Sequence, residues 1–307
     1  MGHTHEHHDH AHHSAAGNAA LFAFAVALNL AFVAAEAVFG WLGGSMALLA
    51  DAGHNFGDAL GLGAAFAATQ LARREPSHRF TYGLGSSSIL AALLNAIILL
   101  IAVGAIAAEA IPRLATPTPV AGETVILVAL AGVVVNGVIA LLLSRSSHPH
   151  DLNLKTAFVH ALSDAGIGVG VAASGVVVIA TGWLRLDPAV SLAIAAIIVV
   201  GTWRLLQRGL AMALHAVPHQ IDPVAVRAQL AAVRGVTAVH DLHIWPMSTT
   251  ETALTVHLVM PQGHPGDAAL SVLIGELDQR FAIGHATIQI ETGDGELVCP
   301  LVSERVV

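Results

Sequence analysis

SSSILAALLNAIILLIAVGAIAAEAI, residues 86–111, holds a single ionisable side chain, Glu109, in 26 positions. As a helix rising about 1.5 Å per residue, this stretch outreaches the roughly 30 Å hydrocarbon core of a bilayer. A run so long and so poor in charge reads as a membrane span, not as the core helix of a soluble domain. Five more stretches of similar character flank it, near 18–40, 45–72, 121–144, 154–181 and 186–205. The breaks at Gly40 to Ser45, Arg73 to Gly85, Pro112 to Gly122, Ser144 to Lys155 and Gly182 to Asp187 are turn and charge signals spaced at one bilayer. Composition agrees: of 307 residues 55% are hydrophobic and 11% charged, against about 25% charged in soluble domains. An ordinary soluble enzyme is excluded, and the expected fold is an α-helical membrane protein with six transmembrane helices.

Lys and Arg set the orientation, because basic loops stay in the cytoplasm. Arg73, Arg74, Arg79, Arg145, Lys155, Arg204 and Arg208 fall on one side of the six spans, and only Arg113 and Arg185 on the other. The first side is therefore expected to be cytoplasmic, with both termini there and the protein multi-pass in the cell inner (plasma) membrane. Lys155 is the one lysine and the net charge is -8, so nothing marks a nucleic-acid partner. A single cysteine, Cys299, excludes a disulfide framework and any cysteine-rich zinc cluster. Metal chemistry would fall to the 19 histidines and the carboxylates.

Four regions follow. Residues 1–17 form a His-rich cytoplasmic tail, opening MGHTHEHHDHAHH, that has no apolar run and is expected to be disordered. Its interleaved Thr, Glu, Asp and Ala fit a native metal-binding tail better than an added tag. Residues 18–208 hold the six spans. From 209 to 293 charges return, and Asp222-Pro223 signals a helix start. The order helix, strand, strand, helix, strand points to a small soluble α+β domain in the cytoplasm. Residues 294–307 read as a loose tail.

Ionisable groups inside spans cost about 2.5–3.5 kcal/mol each at mid-bilayer, so each calls for a reason. Span 2 contains ADAGHNFGDALGLG (50–63) and span 5 FVHALSDAGIGVG (158–170). His54 and Asp58 are four apart, and so are His160 and Asp164; each pair lies on one helix face, one turn apart. Two facing helices would bring two nitrogens and two oxygens together, a tetrahedral donor set suited to Zn²⁺. Gly53, Gly57, Gly61 and Gly63, with Gly166, Gly168 and Gly170, would let the helices approach closely. Asp51 sits near the outer end of span 2, where it could attract ions at the mouth; Glu36 could face the cavity, and Glu109 belongs at the outer interface. In the loop SSHPHDLNLK, His148, His150 and Asp151 could hand metal onward or be a solvated turn.

These motifs resemble the cation diffusion facilitators, in the zinc-preferring branch related to the cobalt–zinc–cadmium exporters. The resemblance spans roughly residues 15–293 and rests on SMALLADAGHNFGDALGL, RFTYG at Arg79 to Gly83, KTAFVHALSDAGIGVG, VHDLHIW at Val239 to Trp245, and HATIQIE at His285 to Glu291. It implies a homodimer of six-span subunits and a transport site formed by His54, Asp58, His160 and Asp164. It also implies exchange of cytoplasmic Zn²⁺ for protons, and a cytoplasmic domain of ferredoxin-like, metallochaperone-like type that helps dimerise the protein, with metal sites of regulatory type at His240, His257, His285 and Glu291. Asp241 and His243 are weaker candidates there, and Trp245 reads as core. After TYG this chain has Leu84, Gly85, Ser86, Ser87 and Ser88, so no salt-bridge hinge is expected; Glu75 and His78 are too few for a further site in that loop.

Chemistry alone supports the exchange, because neutral imidazole binds metal and imidazolium does not, so filling the site releases protons. The expected function is a secondary transporter exporting Zn²⁺, with Cd²⁺ or Co²⁺ as further cargo, and not an enzyme. Its partners are divalent metal ions, protons, a second copy and the bilayer. The alternative class is a membrane redox protein with haem held by His54 and His160, which gives Asp58 and Asp164 no role. A metalloenzyme is disfavoured by four matched ligands without an open position and by the lack of HExxH.

Overall fold

In a computed structural model the described residues are 10–144 and 152–293. Residues 1–9 of the tail, the loop candidates His148, His150 and Asp151, and the C-terminal 294–307 with Cys299 lie outside them. Six long helices come first: α1 (His10–Leu42), α2 (Met46–Ala72), α3 (Ser87–Ala115), α4 (Gly122–Ser144), α5 (Leu152–Thr181) and α6 (Leu186–Ala213). Then follow α7 (Pro223–Ala231), β1 (Ala238–Pro246), β2 (Thr252–Val259), α8 (Asp267–Phe281) and β3 (His285–Glu291), in the expected order.

Four of the long helices, Ser87–Ala115, Gly122–Leu142, Ala157–Thr181 and Leu186–Ala213, are long and apolar enough to cross a membrane, and Val26–Leu42 is a shorter apolar helix. Helix α2 has the length but not the apolarity, because one face carries Asp51, His54, Asn55 and Asp58. Helix α1 starts at His10, upstream of position 18 where composition places the first span; the alanines of this segment favour helix.

The chain divides into two compact units, one of residues up to 62 with 95–203, the other of 63–94 with residues from 204. In the first, Ala47, Leu48, Leu99, Val103, Val125, Ala129, Val171 and Ile198 form a buried core. Helices α4 and α5 pack through glycine: a Cβ on Gly175 would lie 3.2 Å from the Gly122 carbonyl oxygen and 2.9 Å from Ile126. On Gly132 it would meet the Phe32 ring at 2.6 Å. Of the glycines singled out by sequence, Gly53, Gly57, Gly61 and Gly168 are in close contact, but Gly63, Gly166 and Gly170 face nothing within 4 Å.

A polar clamp joins two helix starts in this unit. Asp187, 2% exposed, accepts hydrogen bonds from Ser45 Oγ (2.5 Å), the Met46 N–H (2.7 Å) and the Ala47 N–H (3.4 Å), while Ser45 Oγ accepts from the Leu48 N–H at 3.2 Å. A carboxylate is thereby set on the positive N-terminal end of α2, where unpaired N–H groups and the helix dipole favour it. Glu109 is exposed and pairs with Arg113 at 2.9 Å.

In the second unit β2 is central, antiparallel to β1 and parallel to β3. Ile221, Val226, Leu230, Ile244, Leu254, Val256, Leu258, Leu273 and Leu277 form its core. Asp222 caps α7, accepting from the Val224 N–H at 2.9 Å with Pro223 next, as the sequence signals.

Candidate metal centres

Helices α2 and α5 run in opposite directions in a six-span chain, so the order of donors reverses between them. His54 lies opposite Asp164, and Asp58 opposite His160. The distances follow: His54 Nε2 to Asp164 Oδ1 is 3.7 Å and His160 Nε2 to Asp58 Oδ2 is 3.2 Å. The contacts within each helix are 3.6 Å for His54 Nδ1 to Asp58 Oδ2 and 3.5 Å for His160 Nε2 to Asp164 Oδ2. Each carboxylate thus faces both imidazoles, and each imidazole both carboxylates. His54 turns a different nitrogen to each partner, so a single ion would take one of them after a ring rotation.

Two atoms of this group, His54 Nδ1 and Asp164 Oδ1, are buried without a hydrogen-bond partner. Buried unpaired donors and acceptors are costly, and a cation ligated by them removes that cost. The group opens on one side, with the His160 side chain 48% exposed and Asp164 5%. The bis-histidine haem alternative has no support in this geometry. The His54 and His160 rings stand edge to face with centroids 6.2 Å apart, and both carboxylates lie 3.2–3.7 Å from imidazole nitrogens, a placement to which haem ligation gives no role.

Beside this group lie two side chains whose placement differs from the sequence reading. Asp51 is 4% exposed, so it does not stand at an open mouth; Glu36 is fully buried, not facing an open cavity. Asp187, the cap of α2, was not singled out at all; no local pattern links it to Ser45, 142 positions away.

In the second unit, His240, His257 and Glu291 offer ligand atoms all within 4.8 Å of one another. Glu291 reaches His240 Nε2 at 3.1 Å and His257 Nδ1 at 2.9 Å, and the two rings stand 5.1 Å apart. The strand register explains it: His240 pairs with His257, and Glu291 pairs with Val259 two residues further along β2. A bulge between His240 and His243, with Asp241 at φ 49°, turns Asp241 toward the same place. Its carboxylate lies 3.4 Å from His257 Nε2 and 2.9 Å from His243 Nε2. Simple strand alternation would have placed His240 and Asp241 on opposite faces, so Asp241 was legible as a candidate but not as a neighbour of His257.

His285 lies apart from this group within one chain. It opens β3 opposite Ala253, six residues from Glu291, which is about 20 Å of extended chain. It is exposed and packs edge to face on Tyr82 at 5.5 Å. Within one chain the structure does not bring it to the His240 group.

Comparison with known proteins matches the chain in two successive parts. A model of the cation efflux transmembrane domain matches residues 22–212, and a model of the cation efflux protein cytoplasmic domain matches 218–293. The zinc transporter ZitB of Pectobacterium atrosepticum is 34% identical over 292 residues, 95% of this chain and 89% of its own. The metal cation efflux system protein CzcD of Cupriavidus metallidurans is 34% identical over 291 residues, 94% of this chain and 90% of its own. A cadmium, cobalt and zinc/H⁺-K⁺ antiporter of Bacillus velezensis is 28% identical over 313 residues, 99% and 98%.

Proposed function

The chain belongs to the cation efflux family, and we propose that it exports Zn²⁺ from the cytoplasm in exchange for protons through His54, Asp58, His160 and Asp164. The observation that carries this reading is the meeting of two His–Asp pairs from α2 and α5 at 3.2–3.7 Å. Relatives named as zinc transporters and as a cadmium, cobalt and zinc antiporter support the cargo and extend it to Cd²⁺ and Co²⁺. The protein is a transporter and not an enzyme, since four matched ligands leave no open position on the ion to activate water.

Proton exchange follows from the ligands themselves. Zn²⁺ takes imidazole only in its neutral form, and protons arriving at the same nitrogens displace it. Access alternates as helices rock about a site fixed near mid-bilayer. With both termini cytoplasmic in the cell inner membrane, Asp58 and His160 are the cytoplasmic members of the group and His54 and Asp164 the outer ones. The more exposed members are then the cytoplasmic ones, 30% and 48%, against 20% and 5%, the arrangement expected of a site that loads from the cytoplasm. The protein works as a homodimer, and the His240, His257 and Glu291 group holds a regulatory Zn²⁺.

The test is Zn²⁺-driven proton flux in liposomes under an imposed pH gradient. Coupled flux in the wild type and its loss in Asp164→Ala and in His54→Ala, with folding intact, is the expected result. Unchanged flux in either variant overturns the site.

A further inference from the structure

Glu36 of α1 is fully buried against Asp51 and Asn55, and neither of its carboxylate oxygens makes a hydrogen bond of good geometry. The groups that face it are Asp51, Asn55 and Asp164, and those that face Asp51 are Glu36, His54 and Asp164; none is a Lys or Arg. Asp51 is 4% exposed and Asn55 2%. Asn55 reaches Asp51 through Nδ2 at 3.5 Å, a long contact, while its carbonyl oxygen Oδ1 is buried and unpartnered. Two carboxylates are thus packed together inside the membrane unit, with an amide group beside them and no Lys or Arg against them.

Buried charges persist only when paired or ligated to a metal. Both carboxylates are oxygen donors, and Asn55 adds a third once its amide turns Oδ1 to them, the set that suits hard cations and not the softer donor set of imidazole sites. When both carboxyls are ionised, one divalent ion balances their two charges. Asp51 is also three residues before His54, on the same face of α2 and one turn away. Asp51, His54 and Asp58 therefore form a ladder along that helix.

We propose that Glu36, Asp51 and Asn55 form a second divalent-cation position, made of oxygen donors, one helical turn from the His54 group toward the N-terminal end of α2. The proposal rests on the transport reading above for its direction: in that orientation the position lies on the exit side, where an ion leaving the imidazoles would next be held. Oxygen ligands bind Zn²⁺ more weakly than a set containing two imidazoles, which suits a step of release.

The experiment counts ions on the purified full-length protein in lipid nanodiscs, with Mn²⁺ followed by electron paramagnetic resonance as the hard probe and Zn²⁺ by equilibrium dialysis. His257→Ala is the common background, so that the cytoplasmic group does not contribute. Glu36→Gln keeps the size of the side chain, and thermal unfolding verifies that each variant folds. The expected result is that Glu36→Gln and Asp51→Asn each lose one bound Mn²⁺ per chain and retain the tight Zn²⁺. Asp164→Ala should lose that Zn²⁺ and keep the Mn²⁺, and Glu36→Asp should restore part of the Mn²⁺ signal. Equal Mn²⁺ counts in wild type and Glu36→Gln overturn the second position. A Zn²⁺ count that Asp164→Ala leaves unchanged overturns the transport site instead, so the two failures are separable.

Discussion

Asp164 is the most enclosed of the four imidazole–carboxylate partners, and its carboxylate faces both His160 and His54. Removing it leaves two imidazoles and one carboxylate, short of the tetrahedral set. Asp164→Ala should therefore lower Zn²⁺ affinity by at least about tenfold, the order seen when even supporting groups of metal sites are lost, as measured by dialysis. Asp187 predicts a different phenotype. It touches none of the four, but it receives the first N–H groups of α2. Asp187→Ala leaves those buried donors and Ser45 Oγ unpaired, at a cost of about 1–3 kcal/mol, so the unfolding temperature should fall with Zn²⁺ stoichiometry kept in the folded fraction. An unchanged unfolding temperature would refute the clamp. The His–Asp pairs were visible in sequence because their spacing is local, one turn of helix. The clamp and the Glu36–Asp51 contact were not, since they join residues whose proximity depends on how separate helices meet.

Helix α5 meets α4 backbone to backbone at Gly122 and Gly175, which brings the helix that holds His160 and Asp164 close to its neighbour. Gly175→Val should cost about 1–3 kcal/mol as an overpacked contact, while Gly170→Ala, where a Cβ meets nothing within 4 Å, should leave thermal unfolding unchanged. Equal melting of the two variants would contradict the packing. Sequence marked the glycines nearest the His–Asp pairs, yet the tight contacts also involve Gly122, Gly132 and Gly175, because composition does not tell which face of a span meets another helix. In the sheet, the family resemblance pointed to His240, His257 and Glu291, but the bulge at Asp241 and the distance along β3 to His285 depend on register, which residue type alone does not set.

The two metal groups, one in each compact unit, should separate by experiment. His257→Ala should reduce bound Zn²⁺ while Zn²⁺-driven proton flux persists; complete loss of flux would show that the cytoplasmic group belongs to the transport path. Both groups rely on imidazole, whose unperturbed proton affinity lies near pH 6.5. Protons compete with metal for the neutral ring, so total Zn²⁺ bound should fall as pH is lowered from about 7.5 to 5.5, through the range where imidazole takes up its proton. Dialysis at a series of pH values checks this, and a flat profile would exclude histidine as the dominant ligand.

The residue order alone determined the membrane class, the alternation of basic loops, the paired donors on α2 and α5, and the order of helices and strands in the C-terminal domain. These are properties of composition and short periods, which helix and strand geometry impose on any neighbours. Tertiary structure decided which donors share a point in space: His54 with Asp164, Glu36 with Asp51, Asp187 with the start of α2, and Asp241 but not His285 with His257. Such contacts join positions far apart in the chain, and burial or exposure of a carboxylate follows from the packing of all its neighbours, which no local pattern records.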